Sequence, residues 1–197
     1  MRYEAYVPLA LRTAKLRATP MQDLEHALLG LETEIGEFAT DVKRISIYDR
    51  ALSPEMRDHM IEELGDVQWY VPLAQRALGI DPEVPRPTTW TRTYLANKAT
   101  SLPLAVQMLE TCVAPLLREY LAHEDIATPF MTGHDSAGAC STIIRICDHI
   151  ASTFLDCPPT IVRAKNIEKL KQRFPAAYSN AAAEARADKR GLSARVS

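Results

Sequence analysis

Residues Leu24–Val42, LEHALLGLETEIGEFATDV, decide the fold. Leu24, Leu28, Leu31, Ile35, Phe38 and Val42 recur every three or four positions, the period of one buried helical face. The pattern predicts a single amphipathic helix from Met21 to Ile47, opened by the break at Thr19-Pro20. Ser53-Pro54-Glu55 then reads as an N-cap, a first-turn proline and a helix-favouring acid. The helix that follows carries Met56, Met60, Leu64, Val67, Tyr70 and Leu73 to about Leu78, with Gly79 as its C-terminal stop. Pro72 lies inside it and predicts a kink near Gln68.

Outward from this pair, Tyr3–Lys15 reads as a short helix, and 81–89, with three prolines, reads as a linker. Leu102–His123 is helical in pattern, interrupted by Pro115, and 123–138 reads as a loop. Ala139–Leu155 and Thr160–Arg173 complete the helices, separated by Pro158-Pro159. No segment sustains a period of two, so the expected class is an all-α helical bundle. The expected organisation is a hairpin unit over 1–80, a second helical unit over 90–175 packing on it, and a partly disordered tail over 176–197, frayed from Lys189.

Composition fits this reading. The chain has 197 residues, 47% hydrophobic and 24% charged, with 7 glycines and 13 prolines, so it is globular and poor in hairpin turns. A formal net charge of -2 gives no global positive field for a nucleic acid polymer. No apolar run reaches the ~18 residues of a membrane span, and the first residues lack a signal-peptide core. Cys112, Cys140, Cys147 and Cys157 form no CxxC pair, which fits reduced core residues of a cytoplasmic protein.

An internal echo links the two halves. Arg12-Thr13 and Leu31-Glu32-Thr33 recur as Arg92-Thr93 and Leu109-Glu110-Thr111, an offset of about 80 residues. Leu64-Gly65-Asp66-Val67 has a looser counterpart in Ile146-Cys147-Asp148-His149. Such short matches fit either chance or a duplicated helical hairpin. If the unit is duplicated, Leu104, Met108, Val113, Ile143 and Ile150 would pack on Leu28, Leu31, Val67 and Leu73.

Chemistry concentrates in four acids. Glu34 and Glu37 stand three residues apart on the first long helix, and Glu63 and Asp66 repeat that spacing on the second. If the helices pack antiparallel, four carboxylates meet across one gap, and they repel unless a cation lies between them. Oxygen ligands of this kind suit Mg²⁺ or Mn²⁺. A solvated acidic face is the plainer alternative for either pair alone. Each pair, however, brackets a glycine, Gly36 or Gly65, within a helix, where glycine costs about 1 kcal/mol against alanine. That cost suits a place where a partner backbone or ligand approaches closely.

The run Gly30-Leu31-Glu32-Thr33-Glu34-Ile35-Gly36-Glu37-Phe38, followed by Glu62-Glu63-Leu64-Gly65-Asp66-Val67-Gln68-Trp69-Tyr70, resembles the MazG-like all-α nucleoside triphosphate pyrophosphohydrolases. Tyr6 with Leu11-Arg12-Thr13, and Lys165-Asn166-Ile167-Glu168-Lys169-Leu170 with Arg173-Phe174-Pro175, are similar to that family's flanking segments. The resemblance implies Mg²⁺, with Mn²⁺ as a substitute, on Glu34, Glu37, Glu63 and Asp66. It also implies cleavage of a nucleoside triphosphate to monophosphate and pyrophosphate, with Glu34 polarising the attacking water and Glu37 able to exchange roles with it. Lys165, Lys169 and Arg173 share one helical face and suit phosphate oxygens, or form a solvated basic stripe. Asn166 suits a sugar or base, or a local cap. Trp69 suits stacking or the core, and Lys43 suits phosphate or the helix C-terminus.

The chain departs from compact members, in which the Asn-x-x-Lys-Leu segment follows the ExxD helix almost directly. Here about 80 residues intervene, and the echo places Cys112, Pro115 and Arg145 where acids would fall. One metal cluster per chain and a homodimer are the expectations. The alternatives are a catalytically silent helical interaction module and a phosphoribosyl-ATP pyrophosphohydrolase. No histidine pair or triad is visible, and no P-loop.

Overall fold

The computed structural model describes residues 1–82, 101–124 and 135–185. Most of the expected linker over 81–89, most of the loop over 123–138 and the tail from Lys189 lie outside them. Seven helices are present among the described residues: α1 (Tyr3–Leu11), α2 (Pro20–Ser46), α3 (Pro54–Ala77), α4 (Leu102–His123), α5 (Ser136–Phe154), α6 (Pro159–Arg173) and α7 (Asn180–Ala185). The fold is all-α. No helix among the described residues is long and apolar enough to cross a membrane.

Local chemistry sets the boundaries. Thr19 accepts the Gln22 N–H at 3.2 Å and Ser53 accepts the Met56 N–H at 3.2 Å, each just before a first-turn proline. Gly79 ends α3 at φ 65, a left-handed conformation that glycine adopts without strain. Helix α5 begins at Ser136, earlier than the expected Ala139, because the Asp135 carboxylate accepts the Gly138 N–H at 2.7 Å. Proline does not divide α4. Pro115 removes one backbone donor, but the apolar face on both sides of it (Leu109, Cys112, Val113, Leu116) is buried, and the helix continues.

The packing is a four-helix arrangement with an added layer. The hairpin α2–α3 lies against α4–α5, with α2 beside α4 and α3 beside α5. Helix α6 then folds back over α3, α5 and α1, so it belongs with the first hairpin as much as with the second. One continuous hydrophobic core spans both halves, including Tyr6, Leu31, Phe38, Leu64, Leu109 and Ile143. Leu104 departs from the expected packing and is 44% exposed. Among the described residues after Pro175, Asn180–Ala185 forms α7, and Tyr178 packs on Phe174 with ring centroids 5.4 Å apart. All four cysteines are unpaired and buried. Burial pushes the Cys112 and Cys140 thiols up to about 12, as befits inert core residues.

Two glycines mark close approaches between helices, and a third does not. A Cβ on Gly30 would stand 2.1 Å from the Tyr70 ring, so the α2–α3 contact requires its absence. A Cβ on Gly65 would stand 3.0 Å from Asn166 Cβ, which lets α6 press onto α3. At Gly36 a Cβ would meet nothing within 4 Å, so close approach does not account for that glycine. Substitution should therefore act in opposite directions. Gly36→Ala should raise the unfolding free energy by up to about 1 kcal/mol, through helix propensity. Gly30→Ala should lower it by about 1–3 kcal/mol, because Tyr70 is hemmed in by Trp69 and His26. Urea unfolding of the two variants against the parent chain measures both signs.

Candidate metal centre

The α2–α3 contact brings the motif acids together, though not at one point. Ligand oxygens of Glu34, Glu63 and Asp66 lie within 4.8 Å of one another. A second group with the same spread joins Glu37 and Glu63 to His59, a residue to which sequence reasoning assigned no role. Its signal is the i, i+4 spacing to Glu63 on α3, which puts the two side chains on one face.

Glu63 is the centre of both groups. It is buried, at 4% exposure, and its Oε2 has no hydrogen-bond partner. An unserved buried acceptor costs about 1–3 kcal/mol, and a charged one costs more. Burial pushes the Glu63 carboxyl up to about 9, reinforced by its contact with Glu34 and by the charge of Asp66. Burial and Asp66 likewise raise Glu34. Asp66 is raised by burial, against the pull of Lys169 and Asn166. Three hard oxygen donors, one of them orphaned, fit a divalent cation of the Mg²⁺ or Mn²⁺ type.

Helix α6 braces Asp66. Tyr6 donates to Asn166 Oδ1 at 2.8 Å, and Asn166 Nδ2 donates to Asp66 Oδ1 at 2.7 Å. Asn166 is buried, with both ends of its amide engaged inside the protein. Its amide therefore holds an acid in place, where the sequence offered a sugar or base contact or a local cap. Lys169 is salt-bridged to Asp66 and lies 3.0 Å from Glu62. Burial works against its ammonium, but the two acids outweigh that and raise its pKa. Lys165 is paired with Asp58 at 2.9 Å on the exposed face.

A cavity of about 220 Å³ opens beside Glu34 and Asp66. Lys169 and Arg173 line it, together with the rings of His26, Trp69, Tyr70, Phe174 and Tyr178. Trp69 is also an anchor: its indole N–H lies 3.1 Å from Ala10 O and 3.0 Å from Thr13 Oγ1, fastening α3 to the end of α1. Burial and the nearby acids push the Tyr70 hydroxyl up to about 12. A second cavity lies on the Glu37, His59 and Glu63 side and includes Lys165. Lys43 lines neither. It is exposed near the end of α2, with its ammonium 5.6 Å from the Tyr48 ring centroid, so it is not brought to the acids.

No family model matches the sequence, and no solved structure matches it. A segment of 62 residues, 31% of this chain, is 42% identical to the Gene 37 protein of Mycobacterium phage L5. That match covers 53% of the phage protein, so the chain spans about half the length of this relative.

The raised Glu63 carboxyl has a consequence for stability. Between about 4.5 and about 9 the folded, cation-free protein keeps a proton that the unfolded chain releases. The folded state binds more protons there, so stability should fall as pH rises. In EDTA, the urea midpoint should be lower near about pH 8.5 than near about pH 6, and Glu63→Gln should flatten the slope.

Proposed function

We propose that this chain is a cytoplasmic, divalent-cation-dependent nucleoside triphosphate pyrophosphohydrolase. The supporting observation is a conjunction: Glu34 and Asp66 line a cavity together with Lys169, Arg173 and five aromatic or imidazole rings. Acids for a cation, cations for phosphate and rings for a base are the three chemistries that a nucleoside triphosphate presents. The resemblance of the acidic and α6 motifs to the MazG-like family points to the same substrate class.

In this reading Glu34, Glu63 and Asp66 hold the cation, with Glu37 beside them. Bound there, Mg²⁺ or Mn²⁺ would neutralise triphosphate oxygens and stabilise the charge that develops in the reaction. Lys169 and Arg173, four residues apart on α6, bind phosphate oxygens, and Lys169 exchanges its contact with Asp66 for one with substrate. Tyr70, Phe174 and Tyr178 offer ring surface to the base. Glu34 or Glu37 takes the proton of an attacking water. The water oxygen bonds to the α-phosphorus, the bond from that phosphorus to the α–β bridging oxygen breaks, and pyrophosphate leaves. Phosphoribosyl-ATP would present the same bond. Association into a homodimer belongs to the same proposal.

One observation favours a silent helical interaction module instead. Lys169 already partners Asp66 and Glu62, so part of the acidic charge is neutralised within the chain. Assays on a nucleotide panel that includes phosphoribosyl-ATP, with and without Mg²⁺, separate the readings. The proposed function predicts Mg²⁺-dependent release of monophosphate and intact pyrophosphate. It also predicts that Glu63→Ala or Asp66→Ala lowers kcat/KM by at least about 100-fold with helix content unchanged. No turnover on any substrate would favour the silent module, and a nucleoside diphosphate as first product would contradict attack at the α-phosphorus.

A further inference from the structure

The exposed side of the acidic centre holds a chain of contacts that runs between α2 and α3. Asp41, 2% exposed, lies one helical turn beyond Glu37 on α2. Its two oxygens have different partners. Oδ1 is 2.7 Å from Arg44 Nη1, and Oδ2 is 2.7 Å from His59 Nδ1. The other ring nitrogen, His59 Nε2, is 3.0 Å from Glu63 Oε1. The imidazole thus joins a buried acid of α2 to the most buried acid of the α3 motif.

We propose that Asp41 and His59 are positioning residues that fix the Glu63 carboxylate for cation binding. This inference rests on the reading of Glu34, Glu63 and Asp66 as a cation site. A carboxylate on a glutamate has three side-chain torsions to settle, and Oε2 has no partner to settle them. Glu34 touches the carboxyl from α2, and His59 holds it through Oε1. Asp41 is gripped from both sides and buried, so it orients the imidazole as an outer-shell carboxylate orients a ligand. With Oε1 held by His59, Oε2 is left for the cation. The arrangement parallels the support of Asp66, whose Oδ1 is held by Asn166, itself anchored on Tyr6. Each acid of the ExxD motif thus has among its contacts a side chain that is tied in turn to another helix, His59 to α2 and Asn166 to α1.

Two substitutions at one position separate this role from a general structural one. His59→Gln keeps a nitrogen near Nε2, within reach of Glu63. His59→Asn keeps a nitrogen near Nδ1, within reach of Asp41, and loses Glu63. Both remove the ring. Mn²⁺ binding to the full chain without nucleotide, followed by electron paramagnetic resonance, gives affinity and ligand type independently of turnover. The expected result is a loss of Mn²⁺ affinity of about 10–100-fold in His59→Asn, which gives up Glu63, and a smaller loss of about 3–5-fold in His59→Gln, which keeps Glu63 and gives up Asp41. The parent should show no ¹⁴N coupling to bound Mn²⁺, and the melting temperatures of the two variants without metal should agree. Equal affinity in all three proteins, or equal losses in both variants, would overturn the proposal. A ¹⁴N coupling that disappears in both variants would also overturn it, by making His59 a ligand. Absence of Mn²⁺ binding by the parent chain would remove the cation site itself, whereas tight binding without nucleotide hydrolysis would leave this inference standing and remove only the assigned activity.

Discussion

Burying a carboxylate with an unserved oxygen is unfavourable, and at Glu63 the protein does so in the contact between its two longest helices. The arrangement around it works to sustain that placement. Gly30 lets α2 come close enough to deliver Glu34, because any larger residue would meet the Tyr70 ring. Gly65 opens the opposite side, where α6 brings Asn166 and Lys169 against Asp66. An apolar core that continues through both hairpins supplies the stability against which this local strain is set.

The second hairpin supports the centre without repeating its chemistry. At the echo positions it carries Cys112, Pro115 and Arg145, and the acid at the fourth of them has a different task. Asp148 is 2.7 Å from Arg163, a buried residue of α6 whose guanidinium also reaches Gln68 of α3 at 2.9 Å. Burial raises the Asp148 carboxyl, and Arg163 pulls it back. The ion pair pins α6 at the junction of α3 and α5, one turn before Asn166 and two before Lys169. Asp148 thus serves to hold the helix that braces Asp66.

Fold and site were legible in the sequence to different depths. The stripe from Leu24 to Val42 and the caps at Thr19 and Ser53 are local signals, and the helices they define stand where expected. The start of α5 was not legible, because Asp135 sits in a stretch with no periodic apolar residue to point to it. The acids could be picked out by spacing, but spacing along a helix does not reveal rotation about its axis. Glu37 therefore falls with His59 and away from Asp66. His59 escaped notice because its first partner, Asp41, is on another helix. For Asn166 and Lys43 the sequence left two readings each, because a polar side chain in a motif can face a ligand, another side chain or solvent, and the packing of α6 and the end of α2 decides which.

The central claim is that Glu34, Glu63 and Asp66 form a cation site. Crystals of the chain soaked in Mn²⁺ and measured at the manganese absorption edge test it most directly. An anomalous peak at about 2.0–2.3 Å from oxygens of Glu34, Glu63 and Asp66, absent in Glu63→Ala crystals, is the predicted result. Crystals that diffract well and show the three side chains in place, with no anomalous peak among them at millimolar Mn²⁺, would contradict the account.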